Sequence, residues 1–258
     1  MPRLAILVVG DPRRAEFREV PAAVAPFAPP VVVPTVPDAL RRVAEGWQPD
    51  LIVLLQSYPG EHAPAAVEQL RGLAPLARVV VVVGAWCEGE TRSGRPLPGT
   101  VRVGWAEFPL QAARELRQML SGETGAWSLP STASEEERLL AVPYAPAASG
   151  GSIVVVAADE HAVRQWLVDA CRDRGYVAIG IRPDEAVPAS SAGIFDGDQC
   201  RGHEERLLRE FIRGLHGAPV VAIFNFPRTD DRDRARRAGA TAVLGKPIDL
   251  DDLFDCLT

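Results

Sequence analysis

The chain has 258 residues, a net charge of −6 and 47% hydrophobic residues, which is enough for two domains with separate cores. Its basic residues are spread out, which excludes the clustered footprint of a nucleic-acid binder. The apolar run at 4–9 is too short for a signal peptide or a membrane span, so we expect a cytoplasmic protein without a membrane partner. The four cysteines have no CxxC spacing and read as reduced thiols.

The first half alternates short apolar runs with helical patterns. The runs are rich in β-branched residues and continuously apolar, as in parallel strands buried on both faces; they lie at 4–9, 31–33, 51–55, 79–83 and 101–103. Helices are predicted between and after them, at 14–24, 38–45, 65–73 and 110–120. This order predicts a five-stranded parallel sheet with helices on both faces.

The next stretch mixes Gly, Ser, Pro and Ala and reads as a linker at 122–151, with one helical turn at 135–140. Its apolar residues are expected to pack back onto a domain; they are Trp127, Leu139, Leu140 and Tyr144. The predicted domains are therefore 1–121 and 152–258.

The second half repeats the alternation. Strands are predicted at 153–157, 177–181, 193–195, 220–224 and 241–244, and helices at 162–174, 204–215, 230–237 and 250–257. The connection at 182–192 is too short and too rich in proline for a normal helix. Two α/β units of flavodoxin-like (βα)5 type are the economical interpretation.

Polar residues gather where the strands of the second half end, which is where function collects in such sheets. The strand ends carry Ala158-Asp159-Glu160, Asp196-Gly197-Asp198, Phe224-Asn225 and Lys246-Pro247. Lys246 is the only lysine beside 27 arginines, since the two types total 28.

Two stretches of this half, "VVVAADEHAVRQWLVDACRDRGY" and "RRAGATAVLGKPIDLDDLFDCL", resemble the receiver domain of bacterial two-component response regulators. The resemblance covers nearly all of 152–258. It implies phosphoryl transfer to an aspartate at the third strand end, with Mg²⁺ held by that aspartate and an acidic pair after the first strand. It also implies a lysine that neutralises a phosphoryl oxygen, a cis peptide before the next proline, and a Thr or Ser that responds at the fourth strand end.

Matched to this pattern, the second half keeps only part of it. Mg²⁺ would be held by Asp159, Glu160 and Asp196, with Ala158 in place of one carboxylate, and the acceptor candidates are Asp196 and Asp198. Phe224 stands at the Thr/Ser position, so the switch hydroxyl is absent; Lys246, Pro247 and Asn225 remain for phosphoryl sensing or for structure. A structural pairing of Lys246 with Asp196, and aspartates serving as turn residues or caps, are the competing interpretations.

The first half departs further from the receiver pattern. Gly10-Asp11 takes the place of the acidic pair, Leu55 stands at the acceptor position with Gln56 beside it, and Gly104-Trp105 ends the fifth strand. Leucine does not accept a phosphoryl group, so this half is expected to be a pseudo-receiver.

The loop at 84–100, "GAWCEGETRSGRPLPGT", lies at the functional edge of the first sheet and mixes arginines, carboxylates and glycines. The residues that suit partner docking are Trp86, Cys87, Glu88, Glu90, Arg92 and Arg95. An ordinary solvated surface explains them equally well. No histidine stands at a motif-like spacing from Cys87, so an unreactive thiol is expected. The stretch also resembles one in uncharacterised planctomycete proteins.

Two function classes follow. The first is a non-enzymatic signalling or scaffolding protein of tandem pseudo-receivers that contacts a histidine kinase, a downstream effector or a second copy of itself. The second is a response regulator that accepts phosphate on Asp196 or Asp198 with Mg²⁺. An α/β enzyme or nucleotide binder is disfavoured because the chain lacks a GxGxxG, a P-loop and a nucleophile–base pair.

Overall fold

The computed structural model describes residues 4–87, 89–90, 94–130, 133, 137–138 and 151–257. The chain divides into two compact units, Met1–Pro143 and Tyr144–Thr258, and the division falls inside the stretch predicted as a linker. Each unit contains one five-stranded parallel sheet. Within the described ranges, no helix has the length and apolar character that a membrane span requires.

The first unit has its strands in the order β2-β1-β3-β4-β5. They are β1 (Ile6–Val9), β2 (Val31–Val33), β3 (Leu51–Gln56), β4 (Arg78–Val83) and β5 (Val101–Gly104). The helices are α1 (Val20–Val24), α2 (Val36–Ala44), α3 (Pro64–Leu73) and α4 (Phe108–Ser121), with 3₁₀ turns at Ala85–Cys87 and Ala126–Ser128.

Both faces of this sheet are buried, which explains the continuously apolar strands. Alternate residues of β1 face opposite sides. Ile6 and Val8 pack with α1 and α4, whereas Leu7 and Val9 pack with α2 and α3.

The second unit repeats this arrangement, with the order β10-β9-β8-β6-β7 matching the first when read backwards. Its strands are β6 (Ile153–Ala157), β7 (Val177–Ile181), β8 (Ala192–Asp196), β9 (Val220–Asn225) and β10 (Ala242–Lys246). Its helices are α5 (His161–Asp173), α6 (Gly202–Gly214), α7 (Thr229–Ala238) and α8 (Leu250–Asp255). The connection 182–191 is described throughout and contains no helix, as predicted. The flavodoxin-like architecture is confirmed for both units.

The predicted helix at 14–24 is wrong over most of its length, because only Val20–Val24 is helical. The preceding residues form successive turns, in which the Phe17 N–H bonds to the Arg14 carbonyl at 2.9 Å and the Val20 N–H to the Phe17 carbonyl at 3.0 Å. Pro21 suits the first turn of a helix and not its interior. The apolar spacing was correct in one respect, since Phe17 is fully buried in the core.

Residues of the predicted linker also belong to the first unit. Trp127 is buried and stacks on Phe108 of α4, with ring centroids 5.8 Å apart. The buried Glu115 carboxylate accepts hydrogen bonds from the backbone N–H groups of Ala126 and Trp127 at 3.1 and 2.9 Å. Leu139, Leu140, Tyr144 and most of the predicted turn at 135–140 lie outside the described residues.

Candidate functional site

The two sheets have the same register at their carboxyl ends. Val9 pairs with Val33 and Leu54 in the first, and Ala157 pairs with Ile181 and Phe195 in the second. The pairs Leu55–Val82 and Asp196–Ile223 extend the match. Five positions therefore correspond between the units: Gly10 with Ala158, Asp11 with Asp159, Leu55 with Asp196, Gly84 with Asn225, and Trp105 with Lys246.

At the edge of the second sheet, Asp196 and Lys246 are the last residues of β8 and β10 and form an ion pair. The predicted strands stopped short of both residues, but the ladder includes them, since Asp196 pairs with Ile223 and Lys246 with Asn225. The Lys246 Nζ lies 2.9 Å from Asp196 Oδ1, and it donates a hydrogen bond to the Gly197 carbonyl at 3.2 Å. The Lys246–Pro247 peptide is cis, as predicted.

Asp196 is held in an environment that resists its ionisation. Burial raises the pKa of its carboxyl above the ordinary value, the contact with Lys246 lowers it, and repulsion from Asp198 and Glu160 raises it again. The contact between Lys246 Nζ and Asp196 Oδ1 opposes the effect of burial on this pKa. Lys246 is therefore the counter-cation of an otherwise unfavourable buried carboxylate.

Asp198 points away from this pair and towards the neighbouring strand. Its Oδ1 accepts a hydrogen bond from Asn225 Nδ2 at 2.8 Å, and its carbonyl accepts one from the Asn225 N–H at 3.0 Å. The Glu204 carboxylate fixes the same loop by accepting from the N–H groups of Asp198, at 3.2 Å, and of Gln199, at 2.7 Å. Asp198 and Asn225 thus tie the loop after β8 to the end of β9.

The residues at the predicted switch position are unsuited to sense a phosphoryl group. Phe224 is fully buried, with its ring 6.3 Å from the ring of Phe195. Asn225 supplies an amide whose Nδ2 is already bonded to Asp198. Neither position offers a hydroxyl group.

The residues present do not fit a Mg²⁺ ion well. Asp159 and Glu160 are exposed and line a cleft of about 530 Å³ together with Asp196 and Asp198. At the first position of the acidic pair, Ala158 places a buried methyl group. No group of three or more His, Cys, Asp or Glu side chains within the described part of the chain is arranged to hold a metal ion. The carboxylate best placed to bind one, Asp196, already pairs with Lys246.

The corresponding edge of the first sheet is filled by the unit's own side chains. Leu55 is buried at the position that matches Asp196. The Ser57 hydroxyl donates to Glu16, and the Ser57 N–H donates to Glu61 Oε2 at 2.6 Å. A Cβ atom on Gly84 would lie 2.5 Å from Glu16 Oε2, so glycine leaves room for this carboxylate.

The loop at 84–100 separates into inward and outward residues. Cys87 and Glu90 are buried, whereas Trp86 is 83% exposed and Arg95 is exposed. Glu88 and Arg92 lie outside the described residues. The loop therefore presents an aromatic and a basic side chain to solvent and keeps a carboxylate and a thiol inside.

Glu90 is the centre of a buried polar cluster. Its two partners, Arg102 and Gln56, were not predicted to contact it from the sequence. Its Oε2 accepts from Arg102 of β5 at 2.7 Å and from Gln56 of β3 at 3.2 Å. Arg102 is the one charged residue of β5 and lies between two valines, and that position was the available signal. Burial and the negative charge of Glu90 raise the pKa of Cys87 to about 11, which agrees with an unreactive thiol.

Glu204 and Glu61 were also missed. Glu61 lies in the loop between β3 and α3, and Glu204 lies in the first turn of α6. Each carboxylate accepts a hydrogen bond from the backbone N–H of the residue two places after the acceptor position, which is Ser57 in the first unit and Asp198 in the second. The spacing differs between the units, four residues in one and six in the other, so no repeated motif exposes them in the sequence.

Comparison with known proteins finds regulators. The chain is 29% identical over 110 residues to the transcriptional regulatory protein PdtaR of Mycobacterium tuberculosis, a match that covers 40% of this chain and 54% of the regulator. The chain thus spans about half the length of the curated relatives that it matches. No protein-family model matches it.

Solved structures that resemble the chain include response regulators and CheY-like receiver domains. The chemotaxis response regulator CheY4 of Vibrio cholerae is 17% identical, with a TM-score of 0.37 over 42% of this chain and 97% of that one. A Burkholderia pseudomallei response regulator, solved with a phosphorylated aspartic acid, calcium ion and citrate, is 14% identical with a TM-score of 0.37, over 42% of this chain and 66% of that one. The similarity to planctomycete proteins stays a prediction.

Proposed function

We propose that this chain is a non-enzymatic signalling or scaffolding protein of tandem pseudo-receiver domains, 1–121 and 152–258, that acts through protein contacts in the cytoplasm. The observation that carries the proposal is the state of Asp196. Its carboxylate is buried, its pKa is raised by that burial, and its charge is compensated by Lys246. A phosphoryl acceptor also needs a metal beside it, and Ala158 removes one of the carboxylates that would hold that metal.

The first unit supports the same interpretation independently. It has Leu55 for the acceptor and Trp105 for the lysine, and its edge is occupied by Glu16 and Glu61. Its exposed Trp86 suits partner docking through the loop at 84–100. The partner is a histidine kinase, a downstream effector or a second copy of the chain.

The alternative is a phospho-accepting regulator that uses Asp196 or Asp198 with Mg²⁺. What favours it is the placement of Asp196 at the end of β8 beside a lysine that precedes a cis proline. Mg²⁺, if bound, would shield the incoming phosphate from the carboxylates. Asp159, Glu160 and Asp196 would be its ligands.

The intact mass of the full chain after incubation with acetyl phosphate and Mg²⁺ separates the two functions. We expect no added phosphoryl group under conditions that phosphorylate a control receiver domain. A gain of one group that Asp196→Asn or Asp198→Asn abolishes would overturn the proposal and identify the acceptor.

A further inference from the structure

Strand β7 has one face that is poorly covered. Ala178 and Gly180 face α5, since a Cβ atom on Gly180 would lie 3.0 Å from Arg164 Cγ and 3.2 Å from Val168 Cγ2. Because side chains alternate along a strand, Val177 and Ile179 point to the opposite face. They are 50% and 36% exposed, although β-branched residues in a flavodoxin-like sheet are normally buried.

The first unit shows what covers this face in the same fold. Ile181 matches Val33 in register, so Ile179 matches Val31. Val31 and Val33 pack against the apolar side of α2, formed by Val36, Ala39 and Val43. In the second unit the connection 182–191 replaces that helix and covers only part of this side. Val187 packs into the core that includes the buried Ile181, whereas Val177 and Ile179 stay exposed.

A strongly negative cleft lies at the carboxyl end of β7, where the connection 182–191 begins. The cleft of about 530 Å³ is lined by the start of this connection, by the first turns of α6 and by the strand ends. Six of the lining side chains are carboxylates, and two, Arg182 and Lys246, are basic. Lys246 is already paired with Asp196. An occupant with basic side chains is therefore complementary in charge.

We infer that the face of β7 left open by the missing helix is a docking site for an amphipathic helix of a partner protein, with an apolar stripe against Val177 and Ile179 and basic residues towards the acidic cleft. The inference deepens the proposed function and rests on it. Such a helix would restore the covering that α2 provides in the first unit. It corresponds to helix-in-groove recognition, in which the apolar stripe supplies anchors at helical spacing.

The test uses a labelled peptide derived from the helix that performs this role in the first unit. The probe carries residues 34–47, "PTVPDALRRVAEGW", with lysine in place of Asp38 and Glu45 and fluorescein at its N-terminus. Fluorescence anisotropy with the full-length chain should show saturable binding. A peptide with Val36, Ala39 and Val43 replaced by serine should not bind.

Variants on the protein locate the site. Val177→Asn combined with Ile179→Asn should weaken binding at least about tenfold, because two apolar anchors are lost. Asp184→Asn should weaken it a few-fold, and the effect should fade in high salt. The matched control is Val32→Asn, which alters an exposed valine on the edge strand of the first unit and should leave affinity unchanged.

Absence of saturable binding, or binding that survives the double substitution, would overturn the inference. Self-association in sedimentation velocity that the double substitution abolishes would also overturn it, since the occupant would then be a second copy. These outcomes are independent of the phosphorylation assay. An added phosphoryl group defeats the proposed function whatever the peptide does, and a failed peptide assay without phosphorylation defeats only the inference.

Discussion

Asp196 and Lys246 illustrate how a buried charge is tolerated when its partner is fixed. Taking the carboxylate out of water costs free energy, and the ammonium group 2.9 Å away offsets much of that cost. Removing one member of such a pair leaves the other without compensation. We therefore expect the single lysine of the chain to stabilise the second unit, whether or not Asp196 is phosphorylated.

Lys246→Met should lower the free energy of unfolding of the second unit by about 1–3 kcal/mol at neutral pH. The pKa of Asp196 is raised in the folded state relative to the unfolded state. The folded state therefore gains free energy of unfolding at low pH, where Asp196 is neutral, and loses it as the pH rises through the folded-state pKa. The substitution raises this pKa further, so the loss should shrink as the pH is lowered. Urea unfolding across pH measures this, and equal losses in the Asp196→Asn background would contradict the pairing.

Arg102→Met should destabilise the first unit by about 3 kcal/mol, because it leaves the Glu90 carboxylate buried with the Gln56 amide as its remaining side-chain partner among the residues that the structure describes. The matched control is Arg71→Met. Arg71 pairs with Glu68, whose side chain is 66% exposed, and this loss should stay below about 1 kcal/mol. Urea unfolding of both variants checks the prediction. Similar small losses would show that the Glu90 cluster is not a buried pair.

At the scale of elements, glycine sets the distance between β8 and the helix that covers it. A Cβ atom on Gly193 would lie 2.4 Å from Leu215 Cδ1 and 2.9 Å from two carbon atoms of the Phe211 ring. Gly193→Ala should therefore destabilise the second unit by about 1–3 kcal/mol through overpacking. Gly72→Ala in α3, where nothing lies within 4 Å, should instead be neutral or stabilising. Thermal unfolding of both variants measures the difference.

The end of β6 decides whether the second unit can hold a metal. Ala158→Asp restores the missing carboxylate beside Asp159 and should create a cluster that Mg²⁺ stabilises. Without metal, the variant should unfold at a lower temperature than the wild type because it adds a buried charge. With Mg²⁺, its midpoint should recover, while the wild-type midpoint stays constant. A Mg²⁺-dependent shift in the wild type would show that the present carboxylates suffice.

Elements with a single strong pattern were predictable, and those that depend on local competition were not. The apolar runs predicted every strand, and most clearly those buried on both faces, such as β1 and β3. The predicted helix at 14–24 was wrong over most of its length. Pro21 favours the first turn of a helix, and the residues around Phe17 form turns that still bury its side chain. The pairing of Asp196 with Lys246 was one of the alternatives that the receiver resemblance left open for this lysine. The Glu90–Arg102 pair was not anticipated, since loop geometry brings it together.

For the whole molecule, one sheet register appears twice with different side chains at the same places. Leu55 and Asp196 correspond, as do Trp105 and Lys246, so the first unit carries apolar groups where the second keeps a charged pair. The second unit has no helix between β7 and β8, whereas α2 follows the matching strand β2 in the first unit. We interpret both units as signalling modules that share the receiver-like fold and act through contacts with other proteins.

The most direct test is the thermal unfolding of the full chain with beryllofluoride, which mimics a phosphoryl group on aspartate, in the presence of Mg²⁺. Because Asp196 is paired with Lys246 and the part of the chain that the structure describes has no cluster of metal-binding side chains, the unfolding midpoint of the second unit should be the same with and without the reagent. An upward shift that disappears in Asp196→Asn would contradict the pseudo-receiver function and make the second unit a working phosphoryl acceptor.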